Sequence, residues 1–285
     1  MLKTLSPGAI GIRGLGLADQ IALAGRTGWP GLVVDMSEVV AIGASATRDL
    51  LRSANVQAGS WGLPFAWNRD QETFDAGVAT LPKIAAAAAE IGCTRVSTYM
   101  PSGSNERAFD DNLAWHVSRF RPIATILRDY GCAFGIEYIG PKTFQAQFTH
   151  PFVRDLDGFL RVRDAIGAAN VGLLLDAWHL WHTGTVDDID RLTAADITVV
   201  HVNDAPPGTT PKDELTDTVR ALPTETGRIP LGAFMRKVAA LGYDGPVTPE
   251  PFSQRLNDLA ATDPDAAARD ALASMDALWR AGGLA

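Results

Sequence analysis

Apolar positions along the chain follow two alternating patterns. Short, nearly all-apolar runs, such as residues 171–175, are typical of parallel strands that are covered on both faces. The longer segments between them have a helical period; in residues 74–91, for example, Leu81 and Ala88 share one face. This alternation predicts repeated βαβ units around a parallel sheet.

Eight strands are predicted in this way, at residues 9–12, 32–35, 56–61, 95–99, 133–137, 171–175, 198–202 and 246–250. Helices are predicted at residues 17–27, 43–54, 74–91, 109–130, 155–166, 187–192, 231–241 and 265–279. Because no linker-like tract divides the chain, residues 1–285 are predicted to form a single α/β domain, a (β/α)8 TIM barrel, whose usual size is about 250 residues. A doubly wound parallel sheet is the alternative.

One long segment, residues 205–230, shows neither the strand pattern nor the helical period. Its length exceeds the roughly 12–15 residues at which structureless loops become uncommon in compact domains. Long loops of this kind often close over active sites. We therefore interpret residues 205–230 as a lid loop.

Composition narrows the classes of function. The net charge is −8 and no basic block stands out, so we expect a small-molecule substrate rather than a nucleic acid or an anionic membrane. The N-terminus lacks a signal-peptide pattern, and no apolar run approaches the roughly 18 residues of a membrane span. Cys93 and Cys132 are expected to be buried thiols. These features favour a cytoplasmic protein.

The last four predicted strands each end on a potential metal ligand, in the order Glu137, Asp176, His201 and Glu250. A barrel brings neighbouring strand ends together around one mouth, where active sites of this fold lie. Three carboxylates and one imidazole suit Mn²⁺, Mg²⁺ or Co²⁺, and they would repel one another without a cation. The sequence therefore predicts a metal site at the carboxyl ends of strands five to eight, although any one of these residues could instead cap a turn.

Several longer motifs surround these strand ends: Ile-Glu at 136–137, Asp-Ala-Trp-His at 176–179, His-Val-Asn-Asp at 201–204, Arg-Ala-Leu-Pro-Thr-Glu-Thr-Gly at 220–227 and Gly-Tyr-Asp-Gly-Pro-Val-Thr-Pro-Glu at 242–250. They resemble the motifs of the xylose isomerase-like TIM-barrel proteins, the sugar phosphate isomerase/epimerase superfamily. The resemblance covers residues 90–252 well and the first ninety residues only by layout. It is specific for the fold and the metal site, and unspecific for the substrate.

The resemblance implies a role for each site residue. One divalent metal ion would be bound by all four strand-end residues, Glu137, Asp176, His201 and Glu250; we expect Mn²⁺, with Mg²⁺, Co²⁺ and Zn²⁺ as alternatives. Glu137 and Glu250 would also act as the catalytic acid and base, while His179 and Arg220 would bind substrate oxygens. One departure is visible: Thr143 stands where ketose 3-epimerases carry a second glutamate, which argues against simple ketohexose epimerisation.

These residues suggest a chemistry. A carboxylate can remove the carbon-bound proton beside a carbonyl that a cation polarises, and a metal-bound enediolate results. We therefore hypothesise a metal-dependent sugar isomerase or epimerase. The alternatives are a carbon–oxygen or carbon–carbon lyase acting on an oxidised sugar, similar to inosose dehydratases or C-glycoside deglycosidases, and a non-catalytic barrel subunit. Whether the protein forms homo-oligomers or binds a partner subunit stays open. A phosphodiesterase similar to apurinic endonucleases is disfavoured, because its multi-zinc cluster needs more histidines than this chain's five.

The remaining histidines and tryptophans have structural alternatives. His116 is expected to lie on the surface or in helix packing, a structural role is favoured for His150, and His182 is expected at most to support the site residues from behind. Trp178 and Trp181 are expected either to stack on a sugar ring or to pack in the core. Asn203 and Asp204 are predicted to orient the His201 ring.

Overall fold

Eight parallel strands close into a barrel in this computed structural model, which describes residues 1–284. The barrel strands are β1 (Leu2–Leu5), β2 (Gly31–Val33), β3 (Gln57–Gly62), β4 (Arg95–Met100), β6 (Ala133–Tyr138), β8 (Val171–Asp176), β9 (Ile197–Val202) and β10 (Pro246–Pro249). Their order around the barrel is β1-β10-β9-β8-β6-β4-β3-β2. A short antiparallel pair, β5 (Gly103–Ser104) and β7 (His150–Pro151), lies outside it. The predicted (β/α)8 barrel is thereby confirmed.

The helices surround this barrel. They are α1 (Leu17–Thr27), α2 (Met36–Ile42), α3 (Ala44–Ala54), α4 (Gln71–Glu90), α5 (Phe109–Asp129), α6 (Lys142–Gln145), α7 (Leu156–Ile166), α8 (Ala177–Thr183), α9 (Leu231–Ala240), α10 (Gln254–Thr262) and α11 (Pro264–Gly282). Strand β8 is buried at all six positions, as its apolar sequence predicts. Cys93 and Cys132 are buried free thiols. Among residues 1–284, no helix combines the length and apolar character that crossing a membrane requires.

The predicted first strand is misplaced. Residues 9–12 do not form a strand; the chain enters the barrel earlier, through β1, where Leu2 pairs with Pro246 and Thr4 pairs with Gly31. The run Pro7–Ile10 is a 3-10 helix, because proline at its first position favours a helical turn and Gly11, with φ 86°, ends it. The apolar side chains of this turn pack into the core, and its backbone does not pair with a strand of the barrel.

The region after β8 contains the short helix predicted at residues 187–192. It is the 3-10 helix Val186–Arg191. Helix α8 begins directly after Asp176, whose carboxylate accepts a hydrogen bond of 2.7 Å from the backbone N–H of Trp178. An aspartate at this position satisfies one of the free N–H groups at the start of a helix. The turn-capping alternative for Asp176 is thus realised, and it coexists with the residue's place at the barrel mouth.

His116 packs inside the protein, on the inner face of α5. Its ring stacks on Phe152 with 4.8 Å between centroids and 16° between planes, and its Nδ1 atom lies 2.8 Å from the carbonyl oxygen of Asn112. Burial lowers the pKa of His116 to about 4, from an ordinary value of 6.5. The folded protein therefore resists protonation of this ring, whereas the unfolded chain does not.

This depressed pKa predicts a loss of stability in acid. Because the unfolded chain binds the proton first, stability falls as pH drops from about 6.5 towards the folded-state pKa of about 4. Between pH 7 and pH 5, the free energy of unfolding measured by urea denaturation should fall by about 2 kcal/mol less in His116→Leu than in the wild type. His150→Leu, at the partly buried position in β7, serves as the control. Equal pH dependence in wild type and His116→Leu would contradict the assignment.

Candidate active site

Four side chains from four barrel strands meet at the carboxyl end of the barrel. Glu137 comes from β6, Asp176 ends β8, His201 lies in β9 and Glu250 follows β10. Strand pairing sets their heights, because Asp176 pairs with His201 and His201 pairs with Thr248. One ligand atom from each of the four residues lies within 4.8 Å of the others. The structure therefore brings together the four residues that the sequence singled out.

Two atoms of this cluster are buried without a hydrogen-bond partner: Oε1 of Glu137 and Nδ1 of His201. Buried polar atoms are nearly always paired, and each exception calls for an explanation such as an ion. Three carboxylates and an imidazole form a mainly oxygen-donor set, which suits a hard divalent cation. The residues present thus fit a metal ion, and Glu137, Asp176, His201 and Glu250 are the ones that would hold it.

Arg220 reaches into this cluster from the segment 205–230. Its Nη1 atom donates to Oδ2 of Asp176 at 2.9 Å and to Oε2 of Glu250 at 3.0 Å. Its Nη2 atom donates to Oδ1 of Asp217 at 3.0 Å. The guanidinium group is buried, and the surrounding carboxylates raise its pKa against the effect of burial. Arg220 therefore neutralises part of the negative charge at the mouth of the barrel.

Burial and neighbouring charges push the carboxyl pKa values of the cluster apart. Burial raises the pKa of Glu137 well above its ordinary value, and the charges of Glu250 and Asp176 add to this. Burial would also raise the pKa of Glu250, but His201 and Arg220 outweigh it and lower that pKa. Among the protein groups alone, these shifts favour the protonated form of Glu137 and the ionised form of Glu250.

His179 lies beside the cluster, in the first turn of α8. Its Nδ1 atom accepts a hydrogen bond of 3.2 Å from the backbone N–H of Gly140, so the ring proton is on Nε2. That Nε2 atom is 3.6 Å from Oε1 of Glu137 and 3.8 Å from Oδ2 of Asp176. A side chain at Gly140 would collide with His179, since its Cβ would lie 2.5 Å from the His179 carbonyl oxygen. Glycine at this position therefore allows the contact that fixes the histidine tautomer.

Asp217 is a site residue that the sequence reading missed. Its Oδ1 atom accepts hydrogen bonds from Nη2 of Arg220 and from Nε1 of Trp178, the latter at 3.1 Å. Its backbone oxygen accepts a third hydrogen bond from Nε of Arg220 at 2.7 Å. Trp178 is fully buried, which supports the core-packing alternative for that residue. The available signal was the spacing of three residues between Asp217 and Arg220.

The chain matches the family model of the xylose isomerase-like TIM barrel over residues 21–278. It belongs to this family. The resemblance seen in the strand-end motifs is thereby confirmed.

Three similar proteins illustrate this xylose isomerase-like barrel. The inosose isomerase of Halalkalibacterium halodurans is 27% identical over 157 residues, which cover 54% of this chain and 51% of that relative. The chain thus aligns with about half the length of this curated relative. A xylose isomerase domain protein from Alicyclobacillus acidocaldarius has a TM-score of 0.87 and 26% identity over 99% of both chains. The IolI protein, whose structure contains a zinc atom, has a TM-score of 0.78 and 17% identity over 98% of this chain and 99% of its own.

In this xylose isomerase-like barrel, hydrogen bonds connect the segment 205–230 to the rest of the chain at several points. Asp204 and Ala221 exchange backbone hydrogen bonds of 2.8 and 2.9 Å. Thr143, which replaces the expected second glutamate, donates its hydroxyl hydrogen to the carbonyl oxygen of Leu215 at 2.7 Å. The position that departs from the ketose epimerase pattern therefore helps to hold the segment beside the site.

The predicted role of Asn203 and Asp204 as partners of the His201 ring is wrong. The Asn203 side chain donates instead to Oδ1 of Asp176 at 3.2 Å. The buried carboxylate of Asp204 accepts hydrogen bonds from four backbone N–H groups, those of Ala205, Thr226, Gly227 and Ile229. The reason is that residues 221–229 fold back beside β9, so the backbone N–H groups of three of them donate to the carboxylate of Asp204.

The other expected residues lie outside the cluster. His150 is in the small pair of β5 and β7, and His182 is buried against the rings of Trp178 and Trp181 at 4.5 and 5.2 Å between centroids. Burial lowers the pKa of His182 to about 3, so this ring is neutral in the fold. The position of His150 agrees with a structural role, and His182 packs against Trp178, which donates to Asp217 beside the site.

Proposed function

We propose that this protein is a divalent-metal-dependent sugar isomerase or epimerase that removes a carbon-bound proton beside a carbonyl group. The observation that carries the proposal is the cluster at the barrel mouth, whose four ligand atoms lie within 4.8 Å of one another. Similarity to an inosose isomerase over about half of the chain supports a sugar-like substrate. The zinc atom in the structure of the IolI protein supports metal binding by this type of barrel.

The proposed metal ion is Mn²⁺, because most of the donor atoms are carboxylate oxygens; Mg²⁺, Co²⁺ and Zn²⁺ are the alternatives. Glu137, Asp176, His201 and Glu250 would bind it. When bound, such a cation polarises a carbonyl group and favours the negative charge that appears on the neighbouring oxygens as the proton leaves.

The protein residues carry the proton transfers. Glu250, whose pKa is lowered by His201 and Arg220 against the effect of burial, is the proposed base. Glu137, which β6 places three strands around the barrel from β10, is the proposed acid that returns a proton. The Nε2–H group of His179 and the Arg220 guanidinium are proposed to bind substrate hydroxyl and carbonyl oxygens. Because Arg220 stays charged, it stabilises the negative charge that develops when Glu250 takes the proton.

Deuterium exchange tests this proposal before the substrate is known. The protein is incubated in D₂O with a panel of ketoses, inososes and 3-oxo-glycosides, and deuterium at carbon is measured by mass spectrometry and NMR. We expect incorporation into at least one class, loss of incorporation after chelation, and recovery when Mn²⁺, Co²⁺ or Mg²⁺ is added. Incorporation that is indifferent to exhaustive chelation would refute metal dependence.

The products of the same incubations distinguish the reaction types. A product of unchanged composition, with an altered configuration or carbonyl position, is expected for an epimerase or isomerase. A product that has lost a β-substituent identifies a lyase instead. Absence of exchange with the whole panel would favour a non-catalytic barrel subunit.

A further inference from the structure

A pocket of about 630 Å³ lies outside the carboxylate cluster. Its walls are the loop 68–71 before α4, the loop 101–107 after β4 and the inner face of α5. None of the residues that line it belongs to the cluster of Glu137, Asp176, His201 and Glu250. The volume is within the roughly 300–1,000 Å³ that is typical of small-molecule sites.

One wall of this pocket is a polar stripe on α5, formed by Asn112, His116 and Arg119. These residues are spaced by four and three positions, so they lie on one face of the helix. Their exposed fractions are only 2%, 1% and 6%. Each has a buried side-chain nitrogen without a hydrogen-bond partner: Nδ2 of Asn112, Nε2 of His116, and both Nε and Nη1 of Arg119. Leaving such groups unsatisfied costs roughly 1–3 kcal/mol each, and more for a charged group.

Of the three residues in the stripe, Arg119 has the highest free-energy cost of burial, because it is charged. Among the ion pairs formed by residues 1–284 it has no carboxylate partner, and its single hydrogen bond is a long one of 3.4 Å to the carbonyl oxygen of Arg69. Its guanidinium group lies over the rings of Phe74 and Trp115, at 4.3 and 5.5 Å from their centroids. Arg220, which is similarly buried, contacts three carboxylates. An uncompensated buried charge is destabilising, so its retention points to a partner that is not part of the chain.

Burial lowers the pKa of Arg119, and the charges of Asp75 and Asp70 offset this only in part, because neither carboxylate forms an ion pair with it. The carboxylate of Asp75 accepts a hydrogen bond from the side chain of Gln71 at 2.7 Å. The carboxylate of Asp70 accepts hydrogen bonds from the backbone and hydroxyl groups of Thr73 at the start of α4. The carboxylate of Glu106 pairs with Arg107 at 3.0 Å. The positive charges of Arg119 and of the exposed Arg69 therefore remain available to a ligand.

We propose that this pocket binds a small oxyanion, a phosphate or carboxylate group, on a molecule that also carries a hydroxyl group. Arg119 and Arg69 supply the charge, and the fork of a guanidinium group fits the paired oxygens of either anion. Asn112 adds a neutral donor through Nδ2. His116 donates through Nδ1 to the carbonyl oxygen of Asn112, so its Nε2 atom accepts a hydrogen bond from the ligand hydroxyl. This site is independent of the proposed metal centre.

Calorimetric titration of the full chain, with the metal removed, tests the proposal. The probes are inorganic phosphate, glycerol 3-phosphate and glycerate, with glycerol as the uncharged control. We expect binding of glycerol 3-phosphate or glycerate, weaker binding of inorganic phosphate, and none of glycerol. Arg119→Met should weaken the binding at least about tenfold, because charge-assisted hydrogen bonds are lost. Arg69→Met, at an exposed position, should weaken it as well without affecting the fold.

A second measurement separates a ligand-binding role of Arg119 from a structural one. Without ligand, Arg119→Met should be at least as stable to heat as the wild type, because the methionine keeps the apolar stem and removes an unpaired buried charge. Arg128→Met, at an exposed position on the same helix, is the control that should change neither binding nor stability. Equal anion affinity in wild type and Arg119→Met, a marked loss of stability in that variant, or no binding of any anionic probe would overturn the proposal.

Discussion

Glu250→Gln is expected to lower turnover by roughly 10²–10⁴-fold while the barrel remains folded, because a positioned acid or base typically contributes this much. Glutamine has nearly the same shape but cannot accept the carbon-bound proton. It also keeps an oxygen that can face Arg220, whose Nη1 atom lies 3.0 Å from Oε2 of Glu250. The measurement is kcat for the substrate class found by deuterium exchange, together with metal content by elemental analysis and the far-UV circular dichroism spectrum.

Glu90→Gln provides the matched control for this variant. Glu90 is exposed at the end of α4, where its only ion pair within residues 1–284 is a 3.7 Å contact with Arg48, so the same chemical change should leave turnover unaltered. A Glu250→Gln protein that retains metal but not turnover supports the role of Glu250 as the base. One that also loses the metal shows that ligand binding is the larger part of its role. Wild-type turnover in a metal-loaded Glu250→Gln protein would remove Glu250 from the proton transfer.

Arg220→Met is expected to destabilise the metal-free protein by about 3–5 kcal/mol, the usual cost of removing one partner from a buried ion pair. In the wild type, Arg220 contacts Asp176, Glu250 and Asp217, and its charge holds the pKa of Asp176 below its ordinary value despite burial. Without it, these carboxylates repel one another in a buried setting. The proposed divalent cation would supply the missing charge, so added Mn²⁺ should stabilise the variant more than it stabilises the wild type.

Urea denaturation with and without Mn²⁺ measures both effects. Arg228→Met is the control, because Arg228 lies in the same segment and its guanidinium group donates to the carbonyl oxygens of Pro206 and Thr210 instead of to carboxylates. Arg228→Met should lower the free energy of unfolding by less than Arg220→Met does, and this loss should be the same with and without Mn²⁺. A loss below about 1 kcal/mol in Arg220→Met, the value typical of a surface ion pair, would show that the cluster does not need this charge. Equal stabilisation of both proteins by Mn²⁺ would separate the arginine from the proposed metal site.

The barrel was predictable because the local pattern of apolar residues indicates its central strands. Strand β8 is apolar at its first five positions and buried throughout, so its pattern alone indicated a strand covered on both faces. Strand β1 offered no such signal, because it is four residues long and includes Lys3 and Thr4. Its place is set by pairing with β2 and β10, which lie far along the chain. Short strands of this kind depend on neighbours that sequence periodicity cannot reveal.

The cluster at the mouth was predictable for a related reason. Glu137, Asp176, His201 and Glu250 each lie at or just beyond the end of a strand, and a parallel barrel brings all such positions to one rim. The segment 205–230 has no periodicity, so the positions of Asp217 and Arg220 could not be deduced in the same way.

The sequence by itself therefore determined the barrel and which four side chains converge at its mouth, because strand periodicity and strand-end position are local properties. Only the tertiary structure decided that the Arg220 guanidinium lies between Asp176 and Glu250, and that Asp217 holds it there. It also decided that Arg119 is buried beside a pocket without a carboxylate partner among residues 1–284. Charge compensation depends on distances of a few ångströms between distant parts of the chain, and these exist only after the chain has folded.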